Sequence, residues 1–319
     1  MNWLHRDATG PCLAPRGSAV CIGAFDGVHL GHRAVLAQVR ASAQARGLTP
    51  VAVSFAPIPR VFFARGAAMP QLSSTREKIG LLRQAGMERV LLLRFDAKLA
   101  AMSAQDFVEQ VLVARLNARQ VRVGEGFRFG HARAGDLALL QRLGRASGFE
   151  AGEVAPFALD GERVSSTRIR ALLGTGNFDA AARLLGRRFA IGGHVVRGAQ
   201  LGRKLGYPTA NLRLGSRVAP VGGVFAVRVA GIRAQAMPGV ASLGTRPTVD
   251  GREVLLEAHL FDFDGDLYGK RIEVEFVKKL RDEQKFDNLD AMVKQIDIDA
   301  LAAREILDCG TTAASGALT

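Results

Sequence analysis

Between Ala19 and about Leu185, short apolar β-rich runs alternate with amphipathic stretches, and no other feature of the chain constrains its fold as strongly. This alternation is typical of a parallel sheet covered by helices on both faces, since parallel strands need crossover connections. The runs predicted as strands are residues 19–23, 50–55, 89–95, 120–124 and 150–154. The sequence therefore predicts a doubly wound α/β domain, whose ligands bind beyond the carboxyl ends of the strands.

After Phe189 the pattern changes to closely spaced β-rich runs separated by glycine-rich turns, which predicts a small antiparallel β-barrel. These runs are residues 189–196, 222–229, 238–244, 252–261 and 270–277. Residues 288–307 return to helical spacing and predict a C-terminal helix packed across the barrel. The following residues offer little apolar surface and are expected to be disordered. We therefore divide the chain into residues 1–186, 187–308 and a tail of residues 309–319.

The length of 319 residues suggests two domains, and a hydrophobic fraction of 48% is enough to form a core in each. No apolar run approaches the ~20 residues of a membrane-spanning helix, and Arg6 and Asp7 interrupt the start where an export signal would be apolar. The three cysteines are far apart and form no CxxC pair, which argues against a disulfide framework or a zinc knuckle. We expect a cytoplasmic protein that has no membrane partner.

The formal net charge of +13 raises the alternative of a nucleic-acid-binding protein whose barrel imitates an OB-fold. Of the 43 basic residues 35 are arginine, and they are scattered singly, without a basic cluster or an interleaved aromatic stripe. Such a surface favours polyphosphate ligands, which need only a few well-placed guanidinium groups. We predict that the chain binds no nucleic acid and is a monomer or weak oligomer.

The most informative segment, residues 20–32 (VCIGAFDGVHLGH), leads from a predicted buried strand through a glycine-containing loop directly into a helix. Gly23 and Gly27 let the backbone approach phosphate oxygens, toward which the helix directs unpaired N–H groups and its positive dipole end. His29 and His32 can both donate to one phosphate and stabilise the charge that builds up during in-line attack on phosphorus. Histidines at this spacing can also be zinc ligands, but no cysteine or carboxylate follows at ligand spacing.

This stretch resembles the (H/T)xGH signature of the nucleotidyltransferase superfamily, and residues 164–170 (VSSTRIR) resemble a second element of that superfamily. The hydroxyls of Ser165, Ser166 and Thr167, together with Arg170, would be brought to the nucleotide by a mobile loop and neutralise the departing pyrophosphate. The same residues can also form an ordinary helix with a serine cap.

The second half contains no GxxxxGK(S/T) motif, so a kinase there needs another construction to hold ATP. In residues 202–211 (GRKLGYPTAN), Thr209 and Asn211 lie two apart in an extended segment. They offer hard oxygen ligands suited to Mg²⁺ between phosphates. Read alone, the PTAN at residues 208–211 indicates an ordinary turn.

A carboxylate on a strand is a suitable base for the hydroxyl proton of a primary alcohol. In residues 254–260 (VLLEAHL), Glu257 and His259 face one side and the apolar residues face the other, although Glu257 can also be a solvent-facing strand residue. Downstream, acidic residues at positions 262, 264, 266 and 273 match a calcium-binding loop. Leu267 stands where that loop needs glycine, so a hairpin turn is favoured.

Six segments occur in the order found in the bacterial bifunctional riboflavin kinase/FAD synthetases, which the chain resembles from about Ala19 to Arg304. The segments are GAFDGVHLGHR, EKIGLLRQAG, FRFGHARAGD, SSTRIR, GRKLGYPTAN and LYGKRIEVEFVKKLRDEQKF. The resemblance implies a Rossmann-like nucleotidyltransferase domain that adenylylates FMN with ATP, followed by a flavokinase barrel that phosphorylates riboflavin to FMN. The partners would be riboflavin, FMN, FAD and ATP with Mg²⁺, and no tightly bound prosthetic group would be required.

The resemblance also implies roles for particular residues. It assigns His29, His32 and Glu257 to catalysis, and Thr209 and Asn211 to the metal. It assigns nucleotide and phosphate binding to Gly23, Phe25, Asp26, Gly27, Ser165, Ser166, Thr167, Arg170, Gly198, Gly202 and Arg203. It assigns flavin binding to Phe127, Phe129, Arg281 and a helix around Phe286. Gly193, Gly198 and Gly202 would form a flexible loop over the nucleotide.

The chain departs from the family pattern at several positions near these sites. Ala56 and Ile58 stand where the family has Asp and His, and Gly126 replaces Asp or Asn. In the kinase half, Ala199 and Ser242 replace Asp and Asn. The alternative is therefore a riboflavin kinase whose adenylyltransferase domain is weak or inactive.

Overall fold

The apolar runs of the first half form one parallel sheet in a computed structural model, which describes residues 3–64, 69–198, 202, 205–215, 217–248 and 251–314. Its strands are β1 (Leu4–His5), β2 (Ser18–Ile22), β3 (Thr49–Ala56), β4 (Arg89–Arg94), β5 (Ala118–Gly124) and β6 (Glu150–Val154), in the order β1-β4-β3-β2-β5-β6. The predicted α/β sheet is confirmed, and β2 to β6 lie within two residues of the predicted bounds. The edge strand β1 was not predicted, because two residues carry no readable periodicity.

Helices fill the connections between these strands. They are α1 (Leu30–Ala45), α2 (Pro59–Phe63), α3 (Thr75–Gln84), α4 (Ala97–Ala100), α5 (Ala104–Asp106) continuing as a π-helix over Phe107–Arg115, a 3₁₀ turn over His131–Arg133, and α6 (Leu137–Ser147). A short antiparallel pair, β7 (Ala158–Leu159) and β8 (Glu162–Arg163), follows the sheet. At the start of α3, Ser74 and Glu77 exchange hydrogen bonds of 3.1 and 2.6 Å between side chain and backbone, a capping box that fixes where this helix begins.

Both faces of the central strands β2, β3 and β4 are buried, because their residues enter two different cores. Val20 and Ile22 of β2 pack with the π-helix on one face, while Ala19 and Cys21 pack with α1 on the other. Ligands of such sheets bind beyond the carboxyl ends of the strands, so we expect a ligand at the described loops where β2, β3 and β4 end.

The second half forms a closed antiparallel barrel, as predicted. Its strands are β9 (Ala190–Val196), β10 (Thr209–Arg213), β11 (Gly223–Ala230), β12 (Met237–Thr248), β13 (Gly251–Leu260) and β14 (Arg271–Arg281), in the order β10-β13-β12-β11-β14-β9. The strand β10 was not among the predicted runs, because Pro208 just before it and Asn211 within it are also typical of turns. The expected hairpin after β13 is wrong, since β13 pairs with β10 and β12 while β14 pairs with β11 and β9.

Among the described residues, the helices α7 (Ser166–Gly174), α8 (Phe178–Leu185) and α9 (Leu289–Ala314) accompany the barrel. Phe178 of α8 lies against the rings of Phe225 and Phe276, with centroid distances of 5.8 and 6.1 Å. The chain accordingly divides into a first unit of Met1–Met69 with Ser73–Ser166, and a second of Pro70–Leu72 with Thr167–Thr319. The helices α7 and α8 thus group with the barrel, whereas the assignment of residues 1–186 and 187–308 to separate activities stays a prediction.

The last helix packs across the barrel, as predicted, through Ala300, Ala303 and Leu307, which cover Val224 and Val240. It continues to Ala314, so residues 309–314 are helical where we expected disorder. An existing helix extends at low cost, because its nucleus is already formed. Residues 315–319 lie outside the described residues.

Candidate active sites

The loop between β2 and α1, residues 23–29, is held in a defined shape by its neighbours. The backbone is left-handed at Phe25, Gly27 and Val28, with φ of 48°, 81° and 41°. The N–H of Gly27 donates to Ser73 Oγ at 3.0 Å, and the buried carboxylate of Asp26 accepts from the N–H of Ser73 at 3.1 Å. These contacts of Asp26 fix the shape of the loop, and its predicted role in binding nucleotide or phosphate stays a prediction.

The two predicted histidines lie side by side at the start of α1. Nδ1 of His29 accepts from the N–H of His32 at 3.3 Å and caps the helix, and the two rings are stacked with 3.7 Å between centroids. Burial, the neighbouring His29 and then Lys78 hold the pKa of His32 well below its usual value. His32 is therefore a neutral imidazole at physiological pH. Its Nδ1 is a buried polar atom with no hydrogen-bond partner among the described residues.

The glycine between the histidines, Gly31, lies in a tightly packed position. A Cβ on Gly31 would lie 3.2 Å from the His29 ring and 3.3 Å from the carbonyl oxygen of Val164. Phe25 supports the pair from the core side, with its ring edge-on to His32 at 5.3 Å. The HLGH pattern therefore reflects the tight fit of these rings as well as their chemistry.

The residues predicted to receive pyrophosphate lie at and beyond the end of the first unit. Ser166 Oγ donates to the carbonyl oxygen of Asp26 at 3.1 Å, which brings this hydroxyl to the loop of residues 23–29, called the phosphate loop below. Ser165 precedes α7, whereas Thr167 and Arg170 lie within it. Arg170 donates from Nε to the carbonyl oxygen of Pro70 at 2.7 Å.

An aromatic cavity of about 840 Å³ opens at the carboxyl ends of β2, β3 and β4. The predicted flavin residues Phe127 and Phe129 line it, with their rings stacked 5.4 Å apart. The sequence missed the other phenylalanines of this wall, which are Phe55, Phe62, Phe63, Phe95 and Phe107. Ile58, one of the departures from the family pattern, is buried, so it leaves this region more apolar than a histidine would.

A buried lysine that the sequence did not single out lies behind the phosphate loop. Lys78 of α3 is only 3% exposed, and its Nζ donates to the carbonyl oxygens of Phe55 at 2.6 Å and Ala24 at 3.3 Å. Burial lowers the pKa of Lys78 to about 8, while Asp26 acts in the opposite direction. Its signal in the sequence is a lysine among the buried positions of a helix, which is unusual for that residue type.

A second cavity, of about 360 Å³, lies on the barrel of the second unit. Its wall includes the predicted Gly202, Thr209, Glu257, Arg281 and Phe286. In the antiparallel ladder Asn211 is directly opposite Glu257, and Thr209 is directly opposite His259. Glu257 and His259 are half-buried while Leu256 and Ala258 enter the core, as the alternation predicted.

Asn211 is 3% exposed, and its Oδ1 has no hydrogen-bond partner among the described residues. Its amide nitrogen donates to the carbonyl oxygen of Thr209 at 3.2 Å, which fixes the side chain. A Cβ on Gly198 would lie 2.8 Å from this side chain, and one on Gly202 would lie 2.3 Å from the carbonyl oxygen of Tyr207. Both glycines therefore allow close approach of the loop between β9 and β10.

Some predicted kinase residues lie in other settings than expected. Gly193 is part of β9 rather than of a flexible loop, because this segment pairs with β14. Phe286 lies in an irregular segment before α9, not on a helix, since the helix begins only at Leu289. Arg203 lies outside the described residues.

Arg281 forms an ion pair with a carboxylate. Its Nε donates to both oxygens of the buried Asp299 at 3.0 Å, and a terminal nitrogen donates at 2.7 Å. Its guanidinium lies 5.7 Å from the centre of the Phe286 ring. Asp299 offsets the charge of Arg281, so the pair offers a ligand a flat face rather than a free cation.

Among the described residues, no group of three histidine, cysteine or carboxylate side chains could hold a metal ion. None of the described helices has the length and apolar character required to span a membrane. The zinc alternative for His29 and His32 thus gains no further ligands in the part of the chain that the structure describes.

Comparison with known proteins gives consistent results for both halves. The family model for FAD synthetase matches residues 13–168, and the model for riboflavin kinase matches residues 185–307. The chain is 45% identical over 289 residues to the bifunctional riboflavin kinase/FMN adenylyltransferase of Escherichia coli K12, covering 91% of this chain and 92% of that one. It is 44% identical over 292 residues to the enzyme of the same name from Pseudomonas fluorescens, covering 91% and 93%.

A solved structure is similar over most of its length. The crystal structure of a macrolide-efflux protein from Streptococcus pneumoniae, as that protein is described, matches with a TM-score of 0.74 and 31% identity. The match covers 93% of this chain and 99% of that one.

Proposed function

The chain belongs to the family of bifunctional riboflavin kinases/FMN adenylyltransferases, and from this premise we propose which residues carry each of its two reactions. It is a transferase that phosphorylates riboflavin to FMN with ATP and adenylylates FMN to FAD. Both family models match, and the matches cover more than nine-tenths of the length of these curated relatives. The alternative of a kinase with a weak or inactive first domain has no support from these matches.

In the adenylyltransferase reaction, a phosphate oxygen of FMN attacks the α-phosphorus of ATP and pyrophosphate leaves. Gly23 and Gly27 let the loop approach the phosphates closely, and the N-terminus of α1 directs its positive dipole end toward them. His29 and His32 donate to the oxygens of the α-phosphate, on which charge builds up in the transition state. The observation that carries this assignment is the stacked imidazole pair at the helix start, of which His29 is buried.

Two further sets of residues complete this site in the proposal. Ser165, Ser166, Thr167 and Arg170 neutralise the departing pyrophosphate. The isoalloxazine ring of FMN occupies the aromatic cavity, where Phe127 and Phe129 contact it. Phe25 contributes to nucleotide binding through its ring, which packs against His32.

In the kinase reaction, Glu257 accepts the proton of the primary hydroxyl of riboflavin as its oxygen attacks the γ-phosphorus of ATP, and ADP leaves. Gly198, Gly202 and Arg203 bind the nucleotide. Arg281 and Phe286 form the flat face on which the flavin ring packs, in the cavity that Glu257 also lines. The opposed positions of Asn211 and Glu257 in the ladder support this assignment.

Asn211, which is opposite Glu257, and the nearby Thr209 fit Mg²⁺. The Oδ1 of Asn211 is a buried acceptor without a partner among the described residues, and Thr209 supplies a hydroxyl two positions away. Hard oxygen ligands of this kind suit Mg²⁺, which when bound would offset the charge of the ATP phosphates. A cytoplasmic location, a monomeric or weakly oligomeric state, and the lack of nucleic-acid or membrane partners stay predictions from the sequence.

Product analysis tests the proposed assignment. Wild-type protein incubated with riboflavin, ATP and Mg²⁺ should yield FMN and then FAD. In His29→Ala the reaction should stop at FMN, with adenylylation slowed roughly 10²–10³-fold, because a preorganised donor to the transition state is lost. Wild-type protein that makes FMN but no FAD would refute the adenylyltransferase assignment.

A further inference from the structure

The reaction scheme gives no role to Lys78, although it is a buried ammonium within the first unit. Lysine is almost never fully buried unless it is paired, because removing its charge from water is costly. Here the charge is surrounded by backbone carbonyl oxygens and lies near the carboxylate of Asp26. A cost of this kind indicates that the site uses the ammonium for something that an apolar residue could not provide.

The two acceptors of Lys78 belong to different parts of the site. Ala24 lies in the loop that leads to His29 and His32, and its carbonyl oxygen also accepts from Ser54 Oγ at 3.2 Å. Phe55 lies near the end of β3, and its ring lines the aromatic cavity. One ammonium therefore binds both the phosphate loop and the cavity wall.

We propose that Lys78 is a positioning residue for adenylyl transfer, which fixes the phosphate loop at Ala24 relative to the flavin-cavity wall at Phe55. In-line attack requires the phosphate oxygen of FMN and the α-phosphorus of ATP to meet at short range along one axis. The loop positions one reactant and the cavity wall positions the other. The inference rests on the proposed function of both parts of this site.

Lysine has a geometric advantage at this position. An ammonium carries three N–H donors, so it can bind two carbonyl oxygens at once while keeping its positive charge. The same charge also opposes protonation of His32 on α1. Asp26, from the loop, is the acidic group that acts on Lys78 and favours its charged form.

The test compares Lys78→Met with Lys98→Met, the same substitution at an exposed lysine of α4. Methionine keeps the length and most of the volume but cannot donate. In Lys78→Met, kcat for FAD formation from FMN should fall about 10- to 100-fold, with a smaller change in KM, because a misplaced reactant mainly costs rate. The riboflavin kinase rate, measured on the same preparation, should stay at the wild-type value, and Lys98→Met should keep both rates.

The pH profile provides a readout that a purely structural role would not change. Because the pKa of Lys78 is about 8, its positive charge is lost above that pH, and FAD formation by the wild type should decline there while FMN formation does not. Lys78→Arg keeps a charge throughout this range and should restore part of the rate, with the decline moved to higher pH.

Each outcome decides the inference. FAD formation by Lys78→Met at the wild-type rate would overturn it, and so would an equal loss of both activities in a folded variant. If Lys78→Met does not fold, Lys78→Arg decides, since a folded Lys78→Arg that loses FAD and FMN formation equally overturns the inference. Wild-type protein that makes no FAD would instead contradict the proposed function itself, so the two failures are distinguishable.

Discussion

Asn211 on β10 and Glu257 on β13 are directly opposed in the antiparallel ladder of the barrel. Opposed residues of such a ladder have their Cβ atoms roughly 5 Å apart, which places the proposed base next to the orphaned amide oxygen. On its other side, Glu257 is opposite Ser242 of β12. The second site is thus built on three adjacent strands and needs little rearrangement of the backbone to bring its polar groups together.

Glu257→Gln should remove the base while keeping the shape of the side chain. We expect the riboflavin kinase kcat to fall roughly 10²–10⁴-fold, whereas FAD formation from added FMN should continue at the wild-type rate. The control is Glu273→Gln on β14, since Glu273 is exposed and lies outside the second cavity. A Glu257→Gln protein with full kinase activity would show that another group accepts the hydroxyl proton.

Gly198→Ala should impair the kinase through Asn211. The added Cβ would lie 2.8 Å from the Asn211 amide, closer than real contacts allow, so the amide or the loop must move. We expect a higher Mg²⁺ concentration for half-maximal kinase activity, measured by titration at fixed ATP. Gly222→Ala, where the nearest atom is 3.9 Å away, should leave the titration unchanged. An unchanged Mg²⁺ requirement in Gly198→Ala would argue against Asn211 as a metal ligand.

Lys78 should also make stability depend on pH. Its pKa is about 8 in the folded protein against an ordinary value of 10.5, so between these pH values the unfolded chain binds the proton and the folded chain does not. The contribution of Lys78 to the free energy of unfolding therefore rises with pH across this window and is lost again as the pH falls through 8. The change is on the order of 3 kcal/mol.

The measurement is urea unfolding of the wild type and Lys78→Met between pH 7 and 10.5, because other groups titrate equally in both proteins. The wild type should gain stability relative to the variant as the pH rises. A difference between the two proteins that does not vary with pH would show that Lys78 has an ordinary pKa.

The free cysteines Cys12 and Cys21 should differ sharply in reactivity. Burial raises the pKa of the Cys21 thiol to about 12, and the side chain is fully buried in β2, whereas Cys12 is exposed. Since the thiolate is the reactive form, iodoacetamide at pH 8 should modify Cys12 in the native protein and reach Cys21 only after unfolding in urea. Peptide mass mapping checks this, and rapid native modification of Cys21 would indicate that the sheet opens locally.

The sequence predicted β2, β3 and β4 because these central strands are largely buried and read as apolar runs. It predicted the histidine pair because strand, loop and helix start follow one another directly along the chain. It did not predict the barrel order, since the pairing of β13 with β10 depends on contacts between distant segments. The short β1 and the proline-led β10 carried too little pattern to be recognised as strands.

The missed site residues share a physical reason. Lys78 binds carbonyl oxygens 23 and 54 residues earlier in the chain, and nothing near it in sequence indicates those partners. Asp299 neutralises Arg281 from a helix 18 residues away, so the sequence showed a cation where the structure has an ion pair. The aromatic cavity likewise combines Phe62 and Phe63 with Phe95, which follows a different strand.

Label transfer from ATP tests most directly whether two separate sites catalyse attack on two different phosphorus atoms of ATP. With riboflavin as substrate, ATP labelled at the γ-phosphorus should label both FMN and FAD, whereas ATP labelled at the α-phosphorus should label FAD alone. In His29→Ala the γ-label should still enter FMN while the α-label is almost absent from FAD. Label from the α-position in FMN, or wild-type FAD without α-label, would contradict the account.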